Sequence, residues 1–210
     1  MEQSLSLCSA AGFALPPGDD GRLAVELPAV PVERPGEPYV VVHPGASVAA
    51  RQLPPAPTAG AVRHLTAQGR RVVVTGGPGE AHLTATVAAA GAPDLVEDLT
   101  GTTDLAGLGH LLAGADAVVC GNTGPAHLAA AVGTPVVEAF APVVPAHRWR
   151  PWGVPHVLLG HQDIACAGCR ARVCPHAGQP CLASFTAEAV VAAVGRLAPR
   201  TTPTLQEALR

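Results

Sequence analysis

Lysine is absent from this 210-residue chain, so all thirteen basic residues are arginine. Charge of either sign is scarce: charged residues make up 14% against 48% hydrophobic, the reverse of the balance that keeps a chain disordered. With a net charge of −3 there is no basic field to hold nucleic acid. The chain has no internal repeat and no low-complexity tract beyond short alanine runs. A transmembrane segment is not expected either. The longest uncharged stretch, Ala117 to Val137, is interrupted by Gly121-Asn122-Thr123-Gly124-Pro125, a loop signal. The first twenty residues carry Glu2 where a secretory leader would have Lys or Arg, and they lack a convincing apolar core. The expectation is therefore a cytoplasmic protein with reduced thiols.

What is present suits one α/β domain and is too short for two full ones. Residues 1–38 are rich in Pro, Gly and acid and read as a linker or N-terminal extension, with Leu23–Leu27 as its one short strand. Strands and helices then alternate. Tyr39–Val42, Arg71–Thr75, Leu95–Leu99, Asp116–Cys120, Pro135–Phe140 and Val154–Leu159 are short runs that read as strands. Between them, Thr58–Gln68, Glu80–Ala90, a stretch from Thr103 or Asp104 to Leu112, and Pro125–Val132 read as helices, with a closing one over Thr186–Leu197. The alternation implies βαβ units and a parallel, Rossmann-like sheet flanked by helices. Uninterrupted runs such as Val40-Val41-Val42 fit strands buried on both faces. The domain expected is 39–198, with 199–210 as a tail. Ligands on such sheets bind at the carboxyl ends of the strands, and three loops there are unusual.

The first is Cys120-Gly-Asn-Thr-Gly-Pro-Ala-His127. Gly121 and Gly124 permit close backbone approach, Thr123 brings a hydroxyl, and the free N–H groups and dipole of the following helix favour an anion. Pro125 costs nothing in a first helical turn. A generic turn is an equally simple reading of these residues. The second loop is His43 to Pro54, where Ser47 could donate to a phosphate and Arg51 could pair with one, or remain a solvated surface arginine. The third is Thr75-Gly-Gly-Pro-Gly-Glu80, which misses the dinucleotide fingerprint. It reads as a glycine-rich crossover for a ribose or base, or as a plain tight turn with Glu80 as a helix-start acid.

Taken together, His43-Pro-Gly-Ala-Ser47, Arg51, Leu53-Pro54, Thr75-Gly-Gly-Pro-Gly-Glu80, Asp98-Leu-Thr-Gly101 and Asn122-Thr-Gly-Pro-Ala-His-Leu-Ala-Ala-Ala-Val-Gly-Thr-Pro135 resemble the C-terminal half of family 9 glycosyltransferases, the ADP-heptose-dependent heptosyltransferases and their relatives. The match runs from about Tyr39 to Leu197. The resemblance implies a GT-B architecture, two Rossmann-like domains facing a cleft, with this domain holding a nucleotide-sugar donor, ADP-linked in the family. It places Ser47 and Arg51 on donor phosphates, Thr123 and Gly124 on the diphosphate, His127 beside it, and Gly77 and Glu80 on the nucleoside side. Asn122 stands where the family usually has a sugar-contacting Asp; it keeps hydrogen-bonding capacity without charge. Arg51 stands where Lys is commoner. Transfer would invert the anomeric centre, need no cofactor, and use a glycan or glycolipid acceptor such as lipopolysaccharide core. In the family the general base and acceptor site belong to an N-terminal domain, so this chain is expected to need a separate N-terminal half and not to turn over alone.

A cysteine cluster, Cys166, Cys169, Cys174 and Cys181, lies in a loop over 161–182 near His161 and His176. The spacing could hold structural zinc or an iron–sulfur cluster, or the thiols could simply be reduced and buried. Cys120 reads as a small core residue. Two other functions stay open: a non-catalytic nucleotide- or metal-binding remnant, and a nucleotide-sugar epimerase, which the Gly-Asn-Thr-Gly-Pro loop matches less well.

Overall fold

A computed structural model describes residues 2–29, 35–36 and 38–199. Six strands, β1 (Tyr39–His43), β2 (Arg71–Val74), β3 (Val96–Asp98), β4 (Ala117–Gly121), β5 (Val136–Ala139) and β6 (His156–Leu159), form one parallel sheet in the order β3-β2-β1-β4-β5-β6. The valine runs are the reason. Alternate residues of each strand enter the two faces, and β-branched side chains fill both. Val40, Val42, Val72, Val74, Val119 and Val137 lie on one face with residues of α2 (Pro55–Ala67), α3 (Ala81–Ala88) and α7 (Ala187–Leu197). Val41, Val73, Val118 and Val136 lie on the other, with Leu112 of α4 (Leu105–Ala113) and Ala126 and Ala129 of α5 (Gly124–Ala131). A parallel sheet covered on both faces needs this continuous apolar pattern.

The helices are fixed by local chemistry at their ends. Asp104 caps α4 by accepting from the Gly107 N–H at 2.7 Å, and Thr186 caps α7 by accepting from Ala189 N–H at 3.2 Å. The far end of α4 is held by two buried hydroxyls. Tyr39 donates to the Leu111 carbonyl at 2.8 Å and Thr134 donates to the Leu112 carbonyl at 2.7 Å. Carbonyls left over at a helix C-terminus are thus satisfied by the strands and loops beneath.

The expected strands and helices are all found, with ends shifted by a few residues. The N-terminal segment differs. Glu2–Ala10 is a helix, α1, and Leu23–Leu27 is coil rather than strand. It does not lie on a sheet edge. Leu27 packs on Gly109 of α4, the His110 Nε2–H donates to the Pro28 carbonyl at 2.7 Å, and the Trp152 indole N–H donates to the Gly21 carbonyl at 2.9 Å. The backbone of this segment therefore meets side chains, not a neighbouring strand. Residues 200–210 of the expected tail lie outside the described residues. No helix among the described residues is long and apolar enough to cross a membrane.

Candidate functional site

Chain order along the sheet reverses between β1 and β4, which are neighbours although β1 is first and β4 fourth. The crevice outside the carboxyl ends of the strands at such a reversal is where these sheets bind ligands. Here it is built from two loops that touch. A 3₁₀ turn, Ala49–Arg51, follows β1, and the segment Asn122-Thr123 joins β4 to α5. Their contact depends on Gly121: a Cβ there would overlap the Arg51 carbonyl oxygen. Glycine at this position is a packing requirement, which brings the arginine against the start of α5.

The cavity enclosed there has a volume of about 250 Å³ and is lined by Arg51, Asn122, Thr123, Gly124, His127, Val144 and Trp149. Two of its polar groups are buried without a partner. The Asn122 Nδ2 donates to the Ala141 carbonyl at 3.1 Å, which turns Oδ1 toward no protein donor, and the Arg51 Nε–H has no acceptor. Buried polar groups are normally paired; here an orphaned donor and an orphaned acceptor belong to two residues that line one cavity. Thr123, the N-cap of α5, makes no side-chain cap bond; its hydroxyl instead donates to the Gly121 carbonyl at 3.3 Å. In the first turn of α5 the Gly124 N–H is left without a partner, since Pro125 has none to give and the Ala126 N–H donates to the Thr123 carbonyl at 3.2 Å. His127, one turn on, meets Trp149 edge to face with ring centroids 6.4 Å apart, and burial lowers its pKa below the usual histidine range.

A second arrangement lies beside the first, at the ends of β1 and β2. The Glu80 carboxylate accepts from the Gly77 N–H at 2.8 Å and fills the space over Gly45, where a Cβ would collide with it. His43 hydrogen-bonds Thr75 through Nδ1 at 3.0 Å, and burial lowers the His43 pKa although the Glu80 charge partly opposes this. Glu80 therefore does more than favour a helix start: it clasps the first and third loops together. Ser47 is exposed on the first loop. The structure thus gathers Arg51, Asn122, Thr123, Gly124 and His127 around one cavity. Ser47, Gly77 and Glu80 are outside its lining.

Two neighbours were not read from the sequence. Trp149, in the short helix α6 (Ala146–Trp149), forms a cavity wall. The signal was available, since one of only two tryptophans sits in a Pro- and Arg-rich stretch rather than in an apolar run. Glu138, in the middle of β5, is fully buried beside Cys120, and neither carboxylate oxygen has a partner. Burial raises its pKa to about 8, so it is protonated at neutral pH. Cys120, fully buried itself, has its thiol pushed well up by burial and then by Glu138.

The four clustered cysteines, Cys166, Cys169, Cys174 and Cys181, line a separate cavity of about 170 Å³ together with His176 and Gln179. All six cysteines of the chain are free thiols. Burial raises the Cys181 pKa, and the nearby Cys174 and Cys166 add to the rise. Among the described residues, however, no three His, Cys, Asp or Glu side chains are gathered as a metal-ligand set. The thiols are right in kind for a soft metal but do not converge, and no chemistry is routed through one.

An open parallel sheet flanked by helices on both faces, with the strand order reversing between β1 and β4, is a Rossmann-like domain. The sequence model described as glycosyltransferase family 9 (heptosyltransferase) matches residues 19–179, and the chain belongs to that family. It is 31% identical over 149 residues to lipopolysaccharide heptosyltransferase 3 of Escherichia coli, covering 70% of this chain and 43% of the relative. The chain therefore spans less than half the length of that relative. Solved structures agree in fold. The E. coli heptosyltransferase WaaC with ADP aligns with a TM-score of 0.59 at 23% identity over 76% of this chain and 44% of that one. The iron-containing dodecameric glycosyltransferase TibC from enterotoxigenic E. coli aligns with a TM-score of 0.59 at 21% identity, over 83% and 48%.

Proposed function

We propose that this domain binds a nucleoside-diphosphate sugar, ADP-linked, as the donor for inverting glycosyl transfer of the heptosyltransferase type, in the cytoplasm and onto a glycan or glycolipid acceptor such as lipopolysaccharide core. The observation that carries the reading is the pair of orphaned groups in the cavity at the β1–β4 reversal, Arg51 Nε and Asn122 Oδ1. A glycosyl diphosphate supplies what each lacks: phosphate oxygens for the guanidinium and a sugar hydroxyl for the amide oxygen. The open N–H of Gly124 and the dipole of α5 add positive potential where the diphosphate leaves, and the Thr123 hydroxyl lies beside them. Charge that develops in the transition state is stabilised by groups already in place. Ser47 would reach the phosphates from the first loop, and Gly77 and Glu80 would flank the nucleoside. The cavity lining holds no carboxylate, so the general base for the acceptor hydroxyl is assigned outside the described domain.

Asn122 fits this role without the charge of an aspartate. Its amide nitrogen is committed to the Ala141 carbonyl, next to which a carboxylate oxygen would be repelled, while its oxygen remains an acceptor. Calorimetric titration with ADP and ADP-glucose tests the reading. Saturable binding is expected, and Arg51→Ala should weaken it about tenfold or more, the loss expected for one charge-assisted hydrogen bond. Binding unaffected by that substitution would contradict the assignment.

A further inference from the structure

Trp149 has no assigned role, yet it closes one side of the cavity. The residue is 51% exposed, so part of its surface is open to a ligand. One contact fixes its attitude, the edge-to-face packing on His127 in the first turn of α5. The other lining groups sort by chemistry. Arg51 and the start of α5 bring positive potential, Asn122 carries an amide oxygen with no protein donor, and Val144 and Trp149 supply the apolar wall. A pyranose ring attached to phosphate has hydroxyls on its rim and a patch of C–H bonds on its face, and so matches the acceptor and the aromatic wall at once. The loops assigned to the nucleoside, at Gly77 and Glu80, are absent from this lining.

We propose that Trp149 is the platform for the transferred sugar of the donor, its indole lying against the C–H face of the ring while Asn122 takes a hydroxyl. The inference rests on the donor-site reading above and adds the subsite and the end of the donor that occupies it. Trp149 is then a specificity-determining residue, and substitution discriminates between donor and bare nucleotide.

The test is titration of the full chain with ADP and with ADP-glucose for the native protein, Trp149→Ala and Trp149→Phe, with thermal melting to verify that the variants fold. Trp149→Ala should weaken ADP-glucose by roughly fivefold or more, the range of an aromatic contact, while ADP stays within about twofold. Trp149→Phe should restore most of the lost affinity. ADP-glucose should also quench the tryptophan emission of the native protein, and the quench should vanish in Trp149→Phe, which keeps only Trp152. Equal losses for the two ligands, an unchanged ADP-glucose affinity, or native protein that binds ADP but not ADP-glucose would each overturn the subsite. Native protein that binds neither ligand would refute the donor-site reading itself, and the subsite with it.

Discussion

Glu138 shows how one residue can set a pH dependence. Its carboxyl is buried in β5 with no hydrogen-bond partner, and its pKa of about 8 lies well above the ordinary 4.5. The folded state therefore binds a proton that the unfolded state releases between those two values. Stability is complete below about 4.5, falls as pH rises through neutrality, and levels off above about 8. The slope across that window approaches about 1.4 kcal/mol per pH unit as a limiting value. Glu138→Gln, which keeps the shape and cannot ionise, should flatten the profile and raise the melting temperature at pH 8 relative to the native protein. Melting curves from pH 5 to 9 read the difference; parallel profiles for the two proteins would mean that Glu138 does not titrate in this window. Nothing in the pattern Val136-Val-Glu-Ala139 distinguishes a paired buried acid from an orphaned one, because pairing depends on side chains brought in from elsewhere in the fold. Arg51 is a contrasting case. It was read as a candidate phosphate ligand from its loop and from its place in a series of motifs, but the packing that positions it lies far along the chain, in Gly121.

Among the elements, the cysteine-rich loop braces the cavity at the β1–β4 reversal without lining it. The Gln179 Nε2 donates to the Ala50 carbonyl at 2.7 Å, and the Ala50 N–H donates to the Arg172 carbonyl at 3.0 Å, so the loop grips the turn that carries Arg51 from both sides of Ala50. It also holds the opposite wall: the Gly168 N–H donates to the Pro142 carbonyl at 2.7 Å and the Arg170 N–H to the Val143 carbonyl at 3.2 Å. Gln179 itself adopts a left-handed backbone conformation (φ 45°), as expected of a residue held by its surroundings. Gln179→Ala should loosen the Ala49–Arg51 turn and weaken ADP binding several-fold with little loss of fold, because the bond removed lies at the surface of the domain. Affinity equal to that of the native protein would show the brace to be idle. The strands and helices of the domain were readable because valine runs, caps and glycine stops are local signals. The loop's hold on the Ala49–Arg51 turn was not, because its two hydrogen bonds to Ala50 come from far along the chain, at Arg172 and Gln179. The N-terminal coil escaped for a similar reason: Leu23–Leu27 has strand-like composition, but α4 and Trp152 hold it off the sheet.

At the scale of the molecule, the sheet order reverses between β1 and β4, and the loops that leave those strands carry Arg51 and Asn122. Among the described residues these two hold two of the four buried side-chain atoms without partners, and the other two belong to Glu138 of β5. The series of loop motifs made the family readable, and the parallel sheet confirms the architecture that it implies. Motif order could not show that Arg51, Asn122 and His127 share a cavity while Ser47 and Glu80 do not, since that follows from how closely the backbones of two loops pack.

Amide hydrogen exchange with and without saturating ADP-glucose tests this account most directly, because it locates the ligand on the chain. The account predicts protection concentrated in residues 43–54, 121–128 and 142–150, with α1 and the outer faces of α2 and α7 unchanged. Saturable binding that protects none of these three segments would contradict it.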